Sequence, residues 1–302
     1  MVNKSVEVII PVRNMAEHLP RVLTPLQAQF TGDDVVTVID DASNDGTGEV
    51  ARSLGANVVN LNESRGPYYA RQIVARRSTA DILLFIDGRC RPLPGLLDAH
   101  RELQSRPGVA LSCTDVRTRS GPTVAARVAA QLQPFSVPTR GAVPGKPPYY
   151  PTANLGIDRA AFESVGGFRA MRSGGDADIC WRIQEQGLGT MAVDPRILME
   201  WEPRTSVREL ARQWKRYGRG TAYLRWAYRM DPVAQASAKP PLASTISSLR
   251  PRLGELRTEL RKSPAQILAG AAINVMFQYG YHAEKRRRVE FTMPKTYDLT
   301  ST

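Results

Sequence analysis

The sequence predicts an α/β protein with a mostly parallel sheet flanked by helices. Two observations lead to this prediction. Short segments that are almost entirely apolar, such as VEVIIPV and ILLFI, have the composition of strands buried on both faces. Between them lie segments whose apolar residues recur every three or four positions, as in amphipathic helices. Repeated strand–helix–strand units of this kind assemble into a single parallel sheet.

The individual elements follow from these patterns. Strands are predicted at Val6–Val12, Val35–Ile39, Ala56–Leu61 and Ile82–Ile86, with helices at Asn14–Gln29, Thr47–Leu54, Tyr68–Ser78 and Leu96–Leu103. The segment Arg117–Tyr150 is rich in Pro, Gly and Arg, which predicts an irregular excursion. Further helices are predicted to begin near Asp176 and to cover Val207–Arg229, Gly254–Lys262 and Pro264–Arg288.

Composition limits the partners and the compartment. The 302 residues carry a net charge of +12, which indicates either an anionic partner or simply a well-solvated basic surface. The three cysteines are far apart in sequence, which favours reduced thiols in a cytoplasmic protein. No signal-peptide pattern and no long uninterrupted apolar run is visible, so we expect no membrane-spanning helix.

Carboxylates follow two of the predicted strands. Asp40 and Asp41 end the second strand within VIDDASNDGT, and Asp87 ends the fourth within LLFIDGRCRP. Ligands of parallel sheets bind beyond the carboxyl ends of the strands, so these side chains are expected at one rim. There a carboxylate can accept the imide proton of a pyrimidine base, or hold a divalent metal. The alternative is an N-capping turn, for which Asp, Ser and Asn are the usual residues.

Two later segments add a cationic and an acidic group. Arg65 and Arg71 bracket a Gly-Pro turn in NESRGPYYARQ, where guanidinium groups can bind diphosphate oxygens; the alternative is two surface arginines. Asp176 lies at the Gly-rich start of a helix in GGDADICWR. It is placed either to act as a general base on an acceptor hydroxyl or to cap the helix.

In this order and spacing, the motifs resemble those of the family 2 glycosyltransferases, which have the GT-A fold. The resemblance covers about Val6 to Gly220. Its matching features are the opening strand with Pro11, DDASNDGT, GPYYAR, the strand ending in Asp87, TANLGIDRAAFESVGGF, GGDADICWR and RQWKRYGRG. It implies an inverting transfer of a sugar from a nucleoside-diphosphate donor, such as a UDP-sugar, to an acceptor that the sequence does not name.

The resemblance also implies a role for each matching residue. Asp176 would be the catalytic base, and Asp87 would bind metal and ribose. The implied donor-binding set comprises Pro11, Arg13, Asp40, Asp41, Arg65, Arg71, Asp87, Arg89, Asn154, Gln213 and Arg216. Within this set, Asp40 and Asp41 would hold the base and the ribose of the donor. Asn154 would lie near the donor sugar and the acceptor. Gln213 and Arg216 would close over the diphosphate.

Three positions depart from the family pattern. Asp-x-Asp is replaced by Asp87-Gly88-Arg89, so a cation stands where the second metal ligand is usual. Gly175 precedes Asp176 where the family often has Glu, and Glu200 and Glu202 stand where a histidine is often found. The resemblance implies a manganese or magnesium ion on Asp87, with Glu200 or Glu202 in place of the histidine, unless Arg89 repels the ion or itself neutralises the diphosphate.

The predicted organisation is a GT-A catalytic domain at 1–230, a linker at 231–252 and a helical extension at 253–302. The segment 264–288 combines apolar residues with a basic end, which indicates a membrane surface or packing on this chain or a second subunit. A degenerate, non-catalytic GT-A module that binds a nucleotide or a partner is the main alternative function. Nucleic acid is not expected, because no RNA-recognition, helix-turn-helix or finger signature is visible.

Overall fold

A computed structural model of the chain describes residues 4–137, 143–171, 173–230, 263–286 and 294–297. The chain divides into two compact units. The first comprises Met1–Ser120, Leu132–Pro203 and Pro294–Thr302, and the second comprises Gly121–Gln131 and Arg204–Met293. The predicted linker 231–252 and the predicted helix Gly254–Lys262 lie outside the described residues.

The first unit contains an eight-stranded sheet with the order β3-β2-β1-β4-β7-β6-β8-β5. Its strands are β1 Val6–Val12, β2 Val35–Asp40, β3 Asn57–Asn60, β4 Ile82–Ile86, β5 Cys90–Pro92, β6 Val109–Thr118, β7 Asn154–Asp158 and β8 Thr190–Trp201. Its helices are α1 Leu19–Gln27, α2 Thr47–Ser53, α3 Pro67–Ala75, α4 Leu96–Gln104, α6 Arg159–Ser164 and α7 Gly175–Glu185.

The predicted parallel core is confirmed. β1 pairs in parallel with β2 and with β4, and β2 pairs in parallel with β3. All five residues of β4 are buried, as are six of the seven in β1, because helices cover both faces of these central strands. This arrangement places the ends of β1, β2 and β4 at one rim.

The other half of the sheet was not predicted in detail. β7 is antiparallel to β4 and to β6, while β6 and β8 are parallel to each other. The prediction of an irregular excursion at Arg117–Tyr150 was partly wrong, because α5 Val124–Leu132 forms within it. Its sequence VAARVAAQL has the alanines and the spacing of an amphipathic helix, although Pro and Gly dominate the surrounding segment.

The second unit is helical. It contains α5, α8 Val207–Ala227 and α9 Pro264–Arg286, which share a small apolar cluster. A Cβ on Gly218 of α8 would collide with the carbonyl oxygen of Phe277, and a Cβ on Gly280 of α9 with that of Lys215. The two long helices therefore cross with their backbones in close contact. Within the described residues, no helix combines the length and the hydropathy that crossing a membrane requires.

Candidate active site

The carboxylates at the strand ends converge as predicted. Val12, the last residue of β1, is in register with Asp40 of β2, and the backbone amide of Asp41 donates to the carbonyl of Val12 at 2.8 Å. β4 runs parallel to β1 on its other side and ends immediately before Asp87. Asp40, Asp41 and Asp87 therefore all lie at the carboxyl edge of the parallel core.

The two adjacent aspartates have different partners. The Asp40 carboxylate accepts from the backbone amide of Ser43 at 2.9 Å, so it closes the turn that leads to α2. The Asp41 carboxylate reaches the loop before α3 instead, where it accepts from the hydroxyl of Ser64 at 2.7 Å and the amide of Arg65 at 3.0 Å. Asp41 therefore fixes the loop that carries the first predicted arginine.

Arg65 and Arg71 lie in contrasting environments. Arg65 is exposed; its guanidinium lies 4.5 Å from the ring centroid of Tyr69 and donates to that hydroxyl at 2.8 Å. Arg71, at 5% exposure, donates one long hydrogen bond, 3.4 Å, to the carbonyl of Thr152, and its buried Nε has no hydrogen-bond partner among the described residues. A buried guanidinium with an unsatisfied donor is suited to an anionic ligand.

Arg71 also links the two ends of the candidate site electrostatically. Burial lowers the pKa of its guanidinium, while the charges of Asp87 and Asp176 act in the opposite direction. Asp87 also acts on the thiol of Cys90. Burial, followed by the charge of Asp87, raises the pKa of that thiol well above its usual range. One buried cation therefore lies within electrostatic reach of both the predicted metal ligand and the predicted base.

Asp176 lies in the first turn of α7 and is half-buried. Its Oδ1 accepts a short hydrogen bond from the hydroxyl of Tyr68 on α3. Asp178 is instead fully buried between Arg169 and Arg182, and Arg182 also donates to the carbonyls of Val165 and Gly167. Asp176 is thus at the edge of the site, whereas Asp178 holds the segment before α7 in place.

The other predicted metal ligands are engaged by cations. Glu200 forms ion pairs with Arg117 and Arg119, and Glu202 with Arg21, Arg119 and, at 3.2 Å, His18. The structure thus pairs both glutamates with basic groups, whereas the Asp87 carboxylate makes no ion pair within the described part of the chain. No group of three His, Cys, Asp or Glu side chains is arranged there to hold a metal ion.

Arg89 lies two positions after Asp87 and immediately before β5. Its carbonyl accepts from the amide of Glu202 at 2.9 Å, which ties the segment after Asp87 to the end of β8. Its partly exposed guanidinium forms no ion pair with any described residue. The cation at the altered Asp-x-Asp position is therefore not neutralised by the neighbouring glutamates.

Asn154 lies in the protein interior, and its place near the donor sugar and acceptor stays a prediction. It is fully buried, its amide nitrogen donates to the hydroxyl and the carbonyl of Thr114 at 2.7 and 3.1 Å, and its Oδ1 is 3.0 Å from Nε2 of His100. The side chain thus joins β6, β7 and α4. His100 was not singled out in the sequence, because a lone histidine in an amphipathic helix gives no signal.

The structure also gives the positions of the four remaining predicted donor-binding residues. Pro11 is half-buried within β1, opposite Ile39, and Arg13 is exposed just beyond that strand. Gln213 and Arg216 belong to α8 in the second unit, where Gln213 donates to the hydroxyl of Tyr217 at 2.6 Å and Arg216 is exposed. Their closure over a diphosphate stays a prediction.

Comparisons with known proteins identify the family of the chain. The family model described as "Glycosyl transferase family 2" matches residues 7–172. The chain is 30% identical over 231 residues to a pre-mycofactocin glycosyltransferase of Mycobacterium tuberculosis, which covers 74% of this chain but only 48% of that protein. It thus spans about half the length of that relative. Glycosyltransferase AglE of Haloferax volcanii is 31% identical over 226 residues, covering 71% of this chain and 72% of that one.

Solved structures show the same fold. The mannosyltransferase PcManGT from Pyrobaculum calidifontis, in complex with GDP-Man and Mn²⁺, matches with a TM-score of 0.65 and 15% identity over 96% of this chain and 89% of that one. Glucosyl-3-phosphoglycerate synthase from Mycobacterium tuberculosis, in complex with Mn²⁺, UDP-glucose and phosphoglyceric acid, matches with a TM-score of 0.54 and 18% identity, covering 80% and 85%. At these identities the likeness shows the GT-A fold alone.

Proposed function

The chain belongs to glycosyl transferase family 2, and on that premise we propose that it transfers a sugar from a nucleoside-diphosphate donor to an acceptor hydroxyl with inversion. One observation carries the proposal: the buried Arg71, with its unsatisfied Nε, lies within electrostatic reach of both Asp87 and Asp176. A buried cation that interacts with both carboxylates suits a substrate that has an anionic leaving group and a proton to lose.

The proposed step is a single displacement. The acceptor oxygen attacks the anomeric carbon with its electron pair and loses its proton to the carboxylate of Asp176. The bond from the anomeric carbon to the diphosphate oxygen breaks, and the diphosphate leaves with that electron pair. Arg71 provides fixed positive charge for the developing negative charge of the leaving group, which costs no reorganisation during the reaction.

The test uses Asp176→Asn, because this change keeps the shape and removes the base. Release of UDP from UDP-glucose and of GDP from GDP-mannose, with water as acceptor, should fall by a factor of about 10² to 10⁴. Binding of the donor, measured by calorimetry, should stay within about twofold, because a general base acts on the acceptor rather than the donor. Asp33→Asn, on the exposed loop before β2, is the matched control.

The alternative, a non-catalytic module, predicts a different pattern. Such a module would bind UDP or GDP without releasing either from any donor, and Asp176→Asn would change nothing. Near wild-type turnover in Asp176→Asn, in an enzyme that is otherwise active, would remove this residue from the mechanism while leaving the transfer itself in place.

We further propose that a divalent metal binds mainly together with the donor. Hard cations prefer oxygen ligands, and Asp87 is the one predicted ligand whose carboxylate is not already paired with a basic group among the described residues. The residues present therefore fit an ion that shares the diphosphate oxygens, and do not fit a site built from protein ligands alone. When bound, such an ion neutralises charge on the leaving diphosphate. PcManGT and the synthase were solved with Mn²⁺, which supports this choice of ion.

A second proposal concerns α9, which we infer lies on an anionic membrane surface. Its residues Gln266, Ala269, Ile273 and Gly280 are buried. The opposite face exposes Leu268 by 71%, Val275 by 64% and Tyr279 by 57%. These residues are spaced at seven and four positions, so they form one apolar stripe, and the helix ends in Lys285 and Arg286. An apolar stripe with basic residues at its end is typical of helices at the surface of anionic membranes.

Cosedimentation tests this inference. The chain should bind phosphatidylserine-containing vesicles at low salt and phosphatidylcholine vesicles much less. Leu268→Glu should reduce binding, whereas Thr221→Glu, at an exposed position on α8, adds the same charge away from the stripe. Equal sedimentation of the two variants, or concentration-dependent dimerisation that Leu268→Glu abolishes, would contradict the membrane assignment.

A further inference from the structure

Tyr68 packs against the start of α7, where the proposed base lies. The side chain is 7% exposed, and its hydroxyl donates to Oδ1 of Asp176. Its ring covers Gly175, because a Cβ built there would lie 3.0 Å from two of the ring carbons. Tyr68 therefore fills the space that a side chain at position 175 would need.

The same ring is held from its other sides. It lies 5.5 Å from the ring centroid of Phe168, and the guanidinium of Arg71 lies 5.9 Å from the Tyr68 ring centroid. Burial, followed by the charge of Asp176, raises the pKa of the Tyr68 hydroxyl well above its usual range. The hydroxyl therefore remains protonated and keeps its donor role wherever a carboxylate base is ionised.

The backbone amides in the first turn of a helix can compete with a substrate for the carboxylate of an aspartate in that turn. The free backbone amides of that turn attract carboxylates, so an untethered Asp176 would rotate towards them and away from a substrate. Among the described residues, the only hydrogen bond to the Asp176 carboxylate comes from Tyr68 and uses Oδ1. This leaves Oδ2 to accept a proton.

We propose that Tyr68 is a positioning residue for Asp176: its hydroxyl holds Oδ1 so that Oδ2 faces the acceptor, and Gly175 is small because the ring needs that space. The inference rests on the proposed function, in which Asp176 is the base. Tyr68 belongs to GPYYARQ, but the chemistry of that motif does not itself indicate this residue. The space taken by the Tyr68 ring is a physical reason for the glycine before Asp176.

Tyr68→Phe tests the proposal, because it keeps the ring on Gly175 and removes only the hydroxyl. We expect kcat for release of UDP from UDP-glucose, or of GDP from GDP-mannose, to fall by about 10- to 100-fold, with KM for the donor nearly unchanged. A purely structural role would change KM for the donor along with kcat, because α3 also carries Arg71.

Tyr69→Phe is the matched control. Tyr69 is also 7% exposed, but its hydroxyl accepts from Arg65 and does not contact Asp176. Its removal should not reproduce the selective fall in kcat. Gly175→Ala provides a second variant that keeps the Tyr68 hydroxyl but displaces the ring, and it should also lower kcat with KM for the donor nearly unchanged.

The double variant separates failure of this inference from failure of the proposed function. If Tyr68 acts through Asp176, adding Tyr68→Phe to Asp176→Asn causes no further loss of kcat. A further loss of tenfold or more, or a Tyr68→Phe enzyme with wild-type kcat, would overturn the positioning role while leaving Asp176 as the base. Wild-type turnover by Asp176→Asn alone would overturn both.

Discussion

His100 should make the stability of this protein depend on pH. The side chain is fully buried on α4, with Nδ1 2.8 Å from the hydroxyl of Ser112 and Nε2 3.0 Å from Oδ1 of Asn154. The Asn154 oxygen can only accept, so Nε2 donates and Nδ1 accepts from Ser112. That serine oxygen in turn accepts from Gln104 at 2.9 Å. The chain of hydrogen bonds therefore requires the neutral imidazole.

Burial lowers the pKa of His100 from 6.5 to about 4. Between these values the unfolded chain binds a proton that the native state does not bind, so the free energy of unfolding falls as the pH falls. Above pH 6.5 both states are neutral and the full stability is present. The loss between pH 7.5 and pH 5 is about 2 kcal/mol, and it approaches about 3 kcal/mol below pH 4.

Urea unfolding at pH 7.5 and pH 5 measures this loss, with His100→Gln as the comparison. Glutamine retains a donor and an acceptor but does not titrate near these pH values. All other ionisable groups contribute to both proteins, so the difference between the two pH dependences isolates His100. Destabilisation of the wild type and the variant by the same amount on acidification would refute the assignment of a neutral, buried imidazole.

Three further outcomes are expected. Gly280→Ala should lower the thermal unfolding midpoint, because its Cβ would collide with the Lys215 carbonyl, by an overpacking cost of about 1–3 kcal/mol. Gly270→Ala, in the same helix with no atom within 4 Å of its Cβ, should instead raise the midpoint slightly. Asp41→Ala should weaken UDP-glucose or GDP-mannose binding in calorimetry more than Asp40→Ala does, because Asp41 holds the loop of Arg65 and Asp40 only its own turn; equal effects would contradict this. Excess EDTA should reduce release of UDP or GDP and added Mn²⁺ should restore it, whereas full activity in EDTA would mean that Arg89 replaces the ion.

The parallel half of the fold was predictable because its information is local. VEVIIPV and ILLFI are almost entirely apolar because both faces of β1 and β4 are covered, and a stretch of five to seven residues is enough to recognise that pattern. β8 was not recognised, because its burial pattern is irregular and its pairing with β6 contains register shifts. Such a strand is defined by its neighbours, so its own sequence carries little signal.

Sequence motifs could select residues for the candidate site, but they could not indicate the burial or the hydrogen-bond partners of those residues. Asp41, Asp87 and Asp176 could be selected from motifs, but a motif does not distinguish Arg71, which is buried, from Arg65, which is exposed. Asn154 shows the same limit, since its amide is committed to Thr114 and His100, from segments distant in sequence. Tyr68 had no signal of its own, because an aromatic residue in a helix more often indicates core packing.

Two of the departures from the family pattern, at Arg89 and at Glu202, are connected by the sheet. Cys90 of β5 pairs with Trp201 of β8, and the amide of Glu202 donates to the carbonyl of Arg89, so positions 89 and 202 are neighbours. A cation therefore stands at position 89, where the family pattern has a second Asp, and a carboxylate stands at position 202, where it often has a histidine. Glu202 is already balanced by Arg21 and Arg119, so the positive charge of Arg89 remains available. Two like charges about 4 Å apart repel by roughly 4 kcal/mol at an effective dielectric near 20, which disfavours a metal ion beside Arg89 in the absence of the donor. The diphosphate reverses that balance, because its oxygens attract both cations, and metal binding should therefore depend on the donor more strongly here than in a site with two aspartates.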